Sequence, residues 1–183
     1  MKRFVPILIL AICASFAGAG TAQAATVKAT FGYHIGDALI QSFGFPVGNK
    51  AMAENGDVVT VVGTGTFDVT TKTATGGGTF EHRTSGGTLV GKGSWTATGL
   101  IAFQSYGNAT PQGLPASFYG GRASLAIVGT PNGTSLHLPA TLQIECQLGN
   151  FPSSVIEGVR LNVYDVINFN KTIEGGGNVF FRF

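Results

Sequence analysis

Disulfide potential is the first thing this chain lacks. It holds two cysteines in 183 residues, and Cys13 falls in an N-terminal segment expected to be removed, which leaves Cys146 without a partner. A disulfide-stapled scaffold is thereby excluded, and a hydrophobic core must do the stabilising. Charge is scarce as well: Asp, Glu, Lys and Arg make up 11% of the sequence, under half the roughly 25% usual in soluble domains. No run of lysines or arginines supplies the clustered basic face that a nucleic-acid binder needs to displace counterions. The histidines, His34, His82 and His137, stand far apart, so no zinc-motif spacing occurs and no metal or cofactor is expected. No segment of ordinary helix length carries apolar residues at helical spacing, which argues against bundles and α/β architectures.

What is present begins with an export signal. Lys2 and Arg3 are followed by an apolar run over residues 4–16 and by the small-x-small site Ala22-Gln23-Ala24, the pattern of a secretory signal peptide cleaved after Ala24. The run is shorter than the roughly 20 residues of a spanning helix. Ile12 stands before Cys13 where a lipoprotein signal needs a small residue. Removal of residues 1–24 leaves 159 residues, 25–183, enough for one domain with a core. The 11 basic residues lose Lys2 and Arg3, so nine bases face nine acids. Zero net charge and a surface of Thr, Ser and Gly suit a secreted β protein, and remove one protection against self-association.

The centre of the chain repeats one phrase: Gly63-Thr-Gly65-Thr-Phe67, then Gly76-Gly-Gly78-Thr-Phe80, then Gly91-Lys-Gly93-Ser-Trp95. Around it, residues alternate between apolar and polar. Val59, Val61, Phe67 and Val69 oppose Thr60, Thr64, Thr66 and Asp68. Phe80 and His82 oppose Glu81 and Arg83. Leu89, Trp95, Ile101 and Phe103 are expected on one face, against Lys92, Ser94, Thr96 and Thr98. Further runs at 27–34, 122–129, 138–148, 155–166 and 179–183 bring the expectation to about eight strands. Residues 38–45 fit a short helix or a strand, residues 46–57 and 72–77 a loop and a turn, and residues 106–121 a long Gly/Pro/Asn-rich loop with aromatic ends. The glycines lie on the apolar face, where they let rings or backbone approach and let the sheet bend. No helical period follows them, so they do not form a phosphate-cradling loop. The expected fold is all-β: one antiparallel sheet closed into a barrel, which removes exposed edges, with a two-sheet sandwich as the alternative.

Candidate chemistry is thin. Cys146 falls on the apolar face of its strand and reads as a buried, inert thiol. His82 shares the inward parity of Phe80, as a core histidine with a hydrogen-bond partner or as the polar group of a ligand pocket. Asp37, Asp68, Glu145, Glu157 and Asp165 are scattered and read mostly as turn or wet-face residues. Asn108, Asn132 and Asn170 begin Asn-x-Thr sequons.

Gly78-Thr-Phe-Glu-His-Arg83, Gly93-Ser-Trp-Thr-Ala-Thr98, Phe103-Gln-Ser-Tyr-Gly107, Glu157-Gly-Val-Arg160 and Asn168-Phe-Asn-Lys171 resemble phrases of secreted, glycine-rich bacterial proteins. That likeness covers most of residues 57–183 and carries no activity with it. Val61-Val-Gly-Thr-Gly-Thr-Phe67 is similar to the Gly-Thr-Gly-x-Phe segment of dirigent proteins. Those, like the related allene oxide cyclases, are eight-stranded barrels that steer a reactive apolar intermediate. The aspartates and arginine of such a pocket match no position here, so no catalytic residue is implied.

The first expectation is a secreted or periplasmic β protein that binds an apolar or aromatic small molecule or another surface, with Tyr106, Phe118 and Tyr119 as lips and His82 as internal polar contact. The second is a dirigent- or cyclase-like barrel enzyme using His82. The third is a small outer-membrane barrel, the one reading that involves a membrane. A self-assembling structural or adhesive subunit is the fourth. Oligomeric state is left open.

Overall fold

The computed structural model describes residues 29–183. The expected signal peptide and residues 27–28 of the expected first strand lie outside the described residues.

Alternation of side chains shapes β1 (Thr30–Ile35), which buries Phe31, Tyr33 and Ile35. A single helical turn follows, α1 (Ala38–Ser42), started by the Asp37 carboxylate, which accepts the Leu39 and Ile40 N–H groups at 3.2 and 3.3 Å. Then come β2 (Asn49–Met52), β3 (Val58–Asp68), β4 (Ala74–Arg83) and the long β5 (Leu89–Asn108). A 3-10 turn at Thr110–Gln112 leads to β6 (Phe118–Pro131), β7 (Leu138–Cys146), β8 (Gly158–Val163), β9 (Ile167–Phe169), β10 (Lys171–Ile173) and β11 (Asn178–Arg182). All pair antiparallel into one sheet of 11 strands. Three more strands form than alternation suggests: β2, β9 and β10. Each is only three or four residues long, too short for a period of two to register.

Two strands fork. β3 pairs with β4 along one edge, while its other edge is divided between β2 (Val58 to Val61) and β1 (Gly63 to Asp68). β6 pairs with β5 on one edge and divides the other between β11 and β7. Pairing therefore runs in a ring through β1, β3, β4, β5, β6 and β11. From the forks, β2 with β10 and β7 with β8 and β9 extend as two flaps. The flaps meet where Thr172 Oγ1 donates to the Val159 carbonyl at 3.0 Å.

Aromatic rings fill the ring of strands. Phe31 and Phe67 stack at 5.6 Å, Phe103 lies 4.8 and 4.9 Å from them, and Phe180 closes the group at 5.4 Å from Phe103. Gly63 and Gly65 make room for this core. A methyl group at 63 would overlap the Trp95 indole, and one at 65 would sit 2.6 Å from the Tyr33 hydroxyl.

β5 departs from the expected alternation. Bulges displace Thr98 and Ile101, so Leu100 is buried and Ile101 is 51% exposed. A third bulge frees Tyr106 from the ladder. The expected loop of residues 106–121 is also shorter, since β5 runs to Asn108 and β6 starts at Phe118.

Candidate functional site

Between the β7–β8–β9 flap and the inner face of β3 to β6, away from the aromatic core, lies a cavity of about 220 Å³. Register explains its walls. Val59, His82 and Gly91 stand opposite one another on β3, β4 and β5. Trp95 faces Gly129, and Ile127 faces Ala140, which faces Val163. Phe169 on β9 pairs with Leu161 and covers one side. The valines at the rim, Val90 and Val166, are 56% and 64% exposed. Gly91 and Gly129 leave space that a side chain would fill: a methyl group would meet nothing within 4 Å at 91 and sit 3.8 Å from Phe80 at 129.

His82 is the one ionisable side chain in this wall. Its Nε2 lies 2.9 Å from Oδ2 of Asp57, and its ring meets the Phe169 ring edge-on at 5.1 Å. Asp57 sits in the turn before β3, where the Asn55 side-chain carbonyl accepts its N–H. The hydrogen bond from His82 holds the Asp57 carboxyl below its usual range. Trp95 Nε1 donates to the Val62 carbonyl at 3.1 Å and so presents no free donor. The site offers apolar contact and one imidazole; no second polar side chain converges on it. Among the described residues no group of three or more His, Cys, Asp or Glu is placed to hold a metal ion.

The other expected site residues lie elsewhere. Tyr106 is buried, its hydroxyl donating to Glu145 at 2.6 Å; burial first, then that carboxylate, pushes the phenol up to about 12. Tyr119 packs edge-on against Phe31 at 5.5 Å. Phe118 meets Phe181 at 4.6 Å and lines a separate, open groove. None of the three is a lip of the cavity around His82. His34 pairs with Asp37, and His137 approaches Thr130 at 3.5 Å. Cys146 is fully buried, and burial pushes its thiol well up.

Glu145 is not a wet-face residue. It is 1% exposed, and besides Tyr106 it takes Arg122 Nε at 2.6 Å and Gln143 Nε2 at 3.2 Å, with Arg160 at 3.8 Å. Alternation set it correctly opposite Ile144 and Cys146. What covers that face is the bulged end of β5, which no periodicity announces. Asp57, Val166 and Phe169 escaped the sequence reading for a similar cause: they come to the cavity through turns and three-residue strands.

Compared with family models, with curated proteins and with solved structures, the chain matches none.

Proposed function

We propose that this is an exported β protein, its sheet wrapped into a barrel-like body, that carries one small apolar molecule in the cavity beside His82. Ring-wise pairing of six strands around stacked aromatics supports the wrapped form. The outer faces of β3 to β5 carry Thr64, Thr66, Thr79, Ser94, Thr96 and Thr98, which suits water around the body better than hydrocarbon. The export pattern of residues 1–24 supports a periplasmic or extracellular setting.

The observation that carries the proposal is an apolar-walled cavity with an exposed apolar rim. Scaled from the ~150 Å³ cavity that holds benzene, its volume suits roughly 10 non-hydrogen atoms. At about 0.8 kcal/mol per buried CH₂, such a ligand gains ~8 kcal/mol gross. After at least ~4 kcal/mol for lost freedom, the dissociation constant falls near ~1 mM for an unelaborated probe.

Trp95 is the sole tryptophan of the chain and lines the cavity, so its fluorescence reads occupancy directly. Iodobenzene, a heavy-atom quencher of fitting size, should quench Trp95 saturably, and Gly129→Leu should abolish the saturable phase while leaving the circular dichroism unchanged. Saturable quenching that survives in the folded Gly129→Leu protein would count against the cavity as the binding site.

The His82–Asp57 pair favours a second reading, a cyclase-like enzyme in which the imidazole moves a proton on the bound molecule. Against it stands the lack of any second polar group to hold developing charge. Turnover of an apolar substrate that disappears in a folded, ligand-binding His82→Ala variant would establish the enzyme instead.

A further inference from the structure

At the opposite end of β7 from the cavity lies a larger, open groove of about 680 Å³. Ala140, in the cavity wall, and Gln147, in the groove, are about 23 Å apart along an extended chain. Aromatic and aliphatic side chains stand half-exposed along the groove: Phe43 at 51%, Phe45 at 45%, Leu114 at 39% and Ile156 at 37%. The Phe45 ring lies so close over Gly177 that a methyl group there would come within 2.8 Å of it. Phe118 meets Phe43 edge-on at 6.1 Å.

Two acidic side chains line this groove, Glu157 and Glu174, and no lysine, arginine or histidine does. Glu157 is held by the ends of two strands. Its Oε2 accepts the Gln147 N–H at 2.6 Å and its Oε1 accepts the Asn178 N–H at 2.7 Å. Each carboxylate oxygen has two lone pairs, so a further donor or a positive centre can still be met. Where Glu157 is ionised, an anionic ligand would be repelled. A neutral apolar one would take more water from the carboxylate without giving it a partner, which costs free energy. A cation with an apolar body satisfies both the acid and the aromatic faces.

We propose that this groove binds a small organic cation, an alkyl- or arylammonium ion, its charge drawn to the Glu157 carboxylate and its apolar body laid against Phe43, Phe45 and Phe118. The site is independent of the cavity beside His82.

Burial pushes the Glu157 carboxyl up to about 8 despite its two backbone hydrogen bonds. The groups that act on it are Glu145 and Cys146 from β7 and the Gln147 and Asn178 amides, and Glu174 lines the same groove. Cys146 stays a thiol through burial, so it adds no cation-attracting charge of its own. Below about pH 8 the Glu157 carboxyl is mostly protonated, and a bound cation favours its ionised form. Binding therefore releases a proton near neutrality and strengthens as pH rises to about 8.

The test is calorimetric titration of the full chain with benzyltrimethylammonium, whose charge does not titrate, and with neopentylbenzene, its uncharged isostere. We expect the cation to bind about 25-fold more tightly at pH 8.5 than at pH 6.5, with a heat that depends on the buffer's ionisation enthalpy as proton release requires. The isostere should bind at least tenfold more weakly at pH 8.5. Phe43→Leu, a change at an exposed position, should weaken the cation several-fold, and Glu157→Gln should remove the pH dependence. Gly129→Leu should leave cation binding unchanged, which separates the groove from the cavity. No binding, equal affinity for the isostere, or affinity independent of pH in the unmodified protein would overturn the proposal, whether or not Glu157→Gln folds.

Discussion

At position 63 the absence of a side chain is what lets the Trp95 indole reach from β5 across β4 to β3. Gly63→Ala forces the ring aside, an overpacking expected to cost about 2 kcal/mol. In a chain of this size that lowers Tm by about 4–8 °C, with a red-shifted Trp95 emission as the ring meets water. His82→Ala removes the partner of Asp57 and enlarges the cavity. We expect a loss of about 1–2 kcal/mol in urea unfolding, with apolar probe binding retained or improved, because the ligand gains room and loses only one polar contact. Abolished binding in the folded variant would show that the imidazole itself holds the ligand. Residue by residue, the sequence exposed the inward parity of His82 and the purpose of the glycines, since both follow from a period of two. It did not expose Asp57 as the histidine's partner, because that pairing depends on which turn folds back over which strand.

Among the elements, β5 best separates what alternation can and cannot tell. From Gly93 to Ala97 its inward residues fall where the pattern puts them, with Trp95 and Ala97 buried, while Leu89, expected on the same face, is 44% exposed at the strand's start. Beyond that point each bulge adds a residue to one strand only and reverses the facing of those that follow. Leu100→Ala should therefore cost about 3 kcal/mol in chemical denaturation. Ile101→Ser, one position along, should cost less than about 0.5 kcal/mol, as expected of an exposed site. Equal losses at the two positions would place the bulge elsewhere. The same bulging carries Tyr106 over Glu145, so a carboxylate that alternates outward is nonetheless buried. Short elements were illegible for a simpler cause: three residues of β9 or β10 hold too few changes of facing to show a period, and chance supplies as many anywhere.

For the whole molecule, pH acts through two opposed sets of carboxylates. Asp57 and Asp68 have lowered pKa values in the fold, through His82 for the first and through the Thr71 backbone N–H for the second. Their contribution is present above the unfolded aspartate value and is lost as pH falls through the lower folded values, so Tm should drop steeply below about pH 4. Glu157 has the reverse sign. Its folded carboxyl keeps its proton to about 8 while the unfolded one releases it near 4.5. Stability should therefore fall as pH rises between those values and level off above, which a scan of Tm against pH will show. Glu157→Gln should flatten that decline. A Tm independent of pH between 5 and 8 would mean that Glu157 is already ionised in the fold.

The link between β1 and β11 has a temporal consequence. Phe31 pairs with Arg182 and Ile35 with Asn178, so the first described strand must wait for nearly the last before its second edge is covered. A nascent polypeptide emerging N-terminus first would hold its aromatic cluster uncapped until those late residues arrive. Such long-separation pairing slows folding and leaves sticky intermediates exposed. A holdase acting on this chain would accordingly bind it before residues 178–182 dock and release it afterwards.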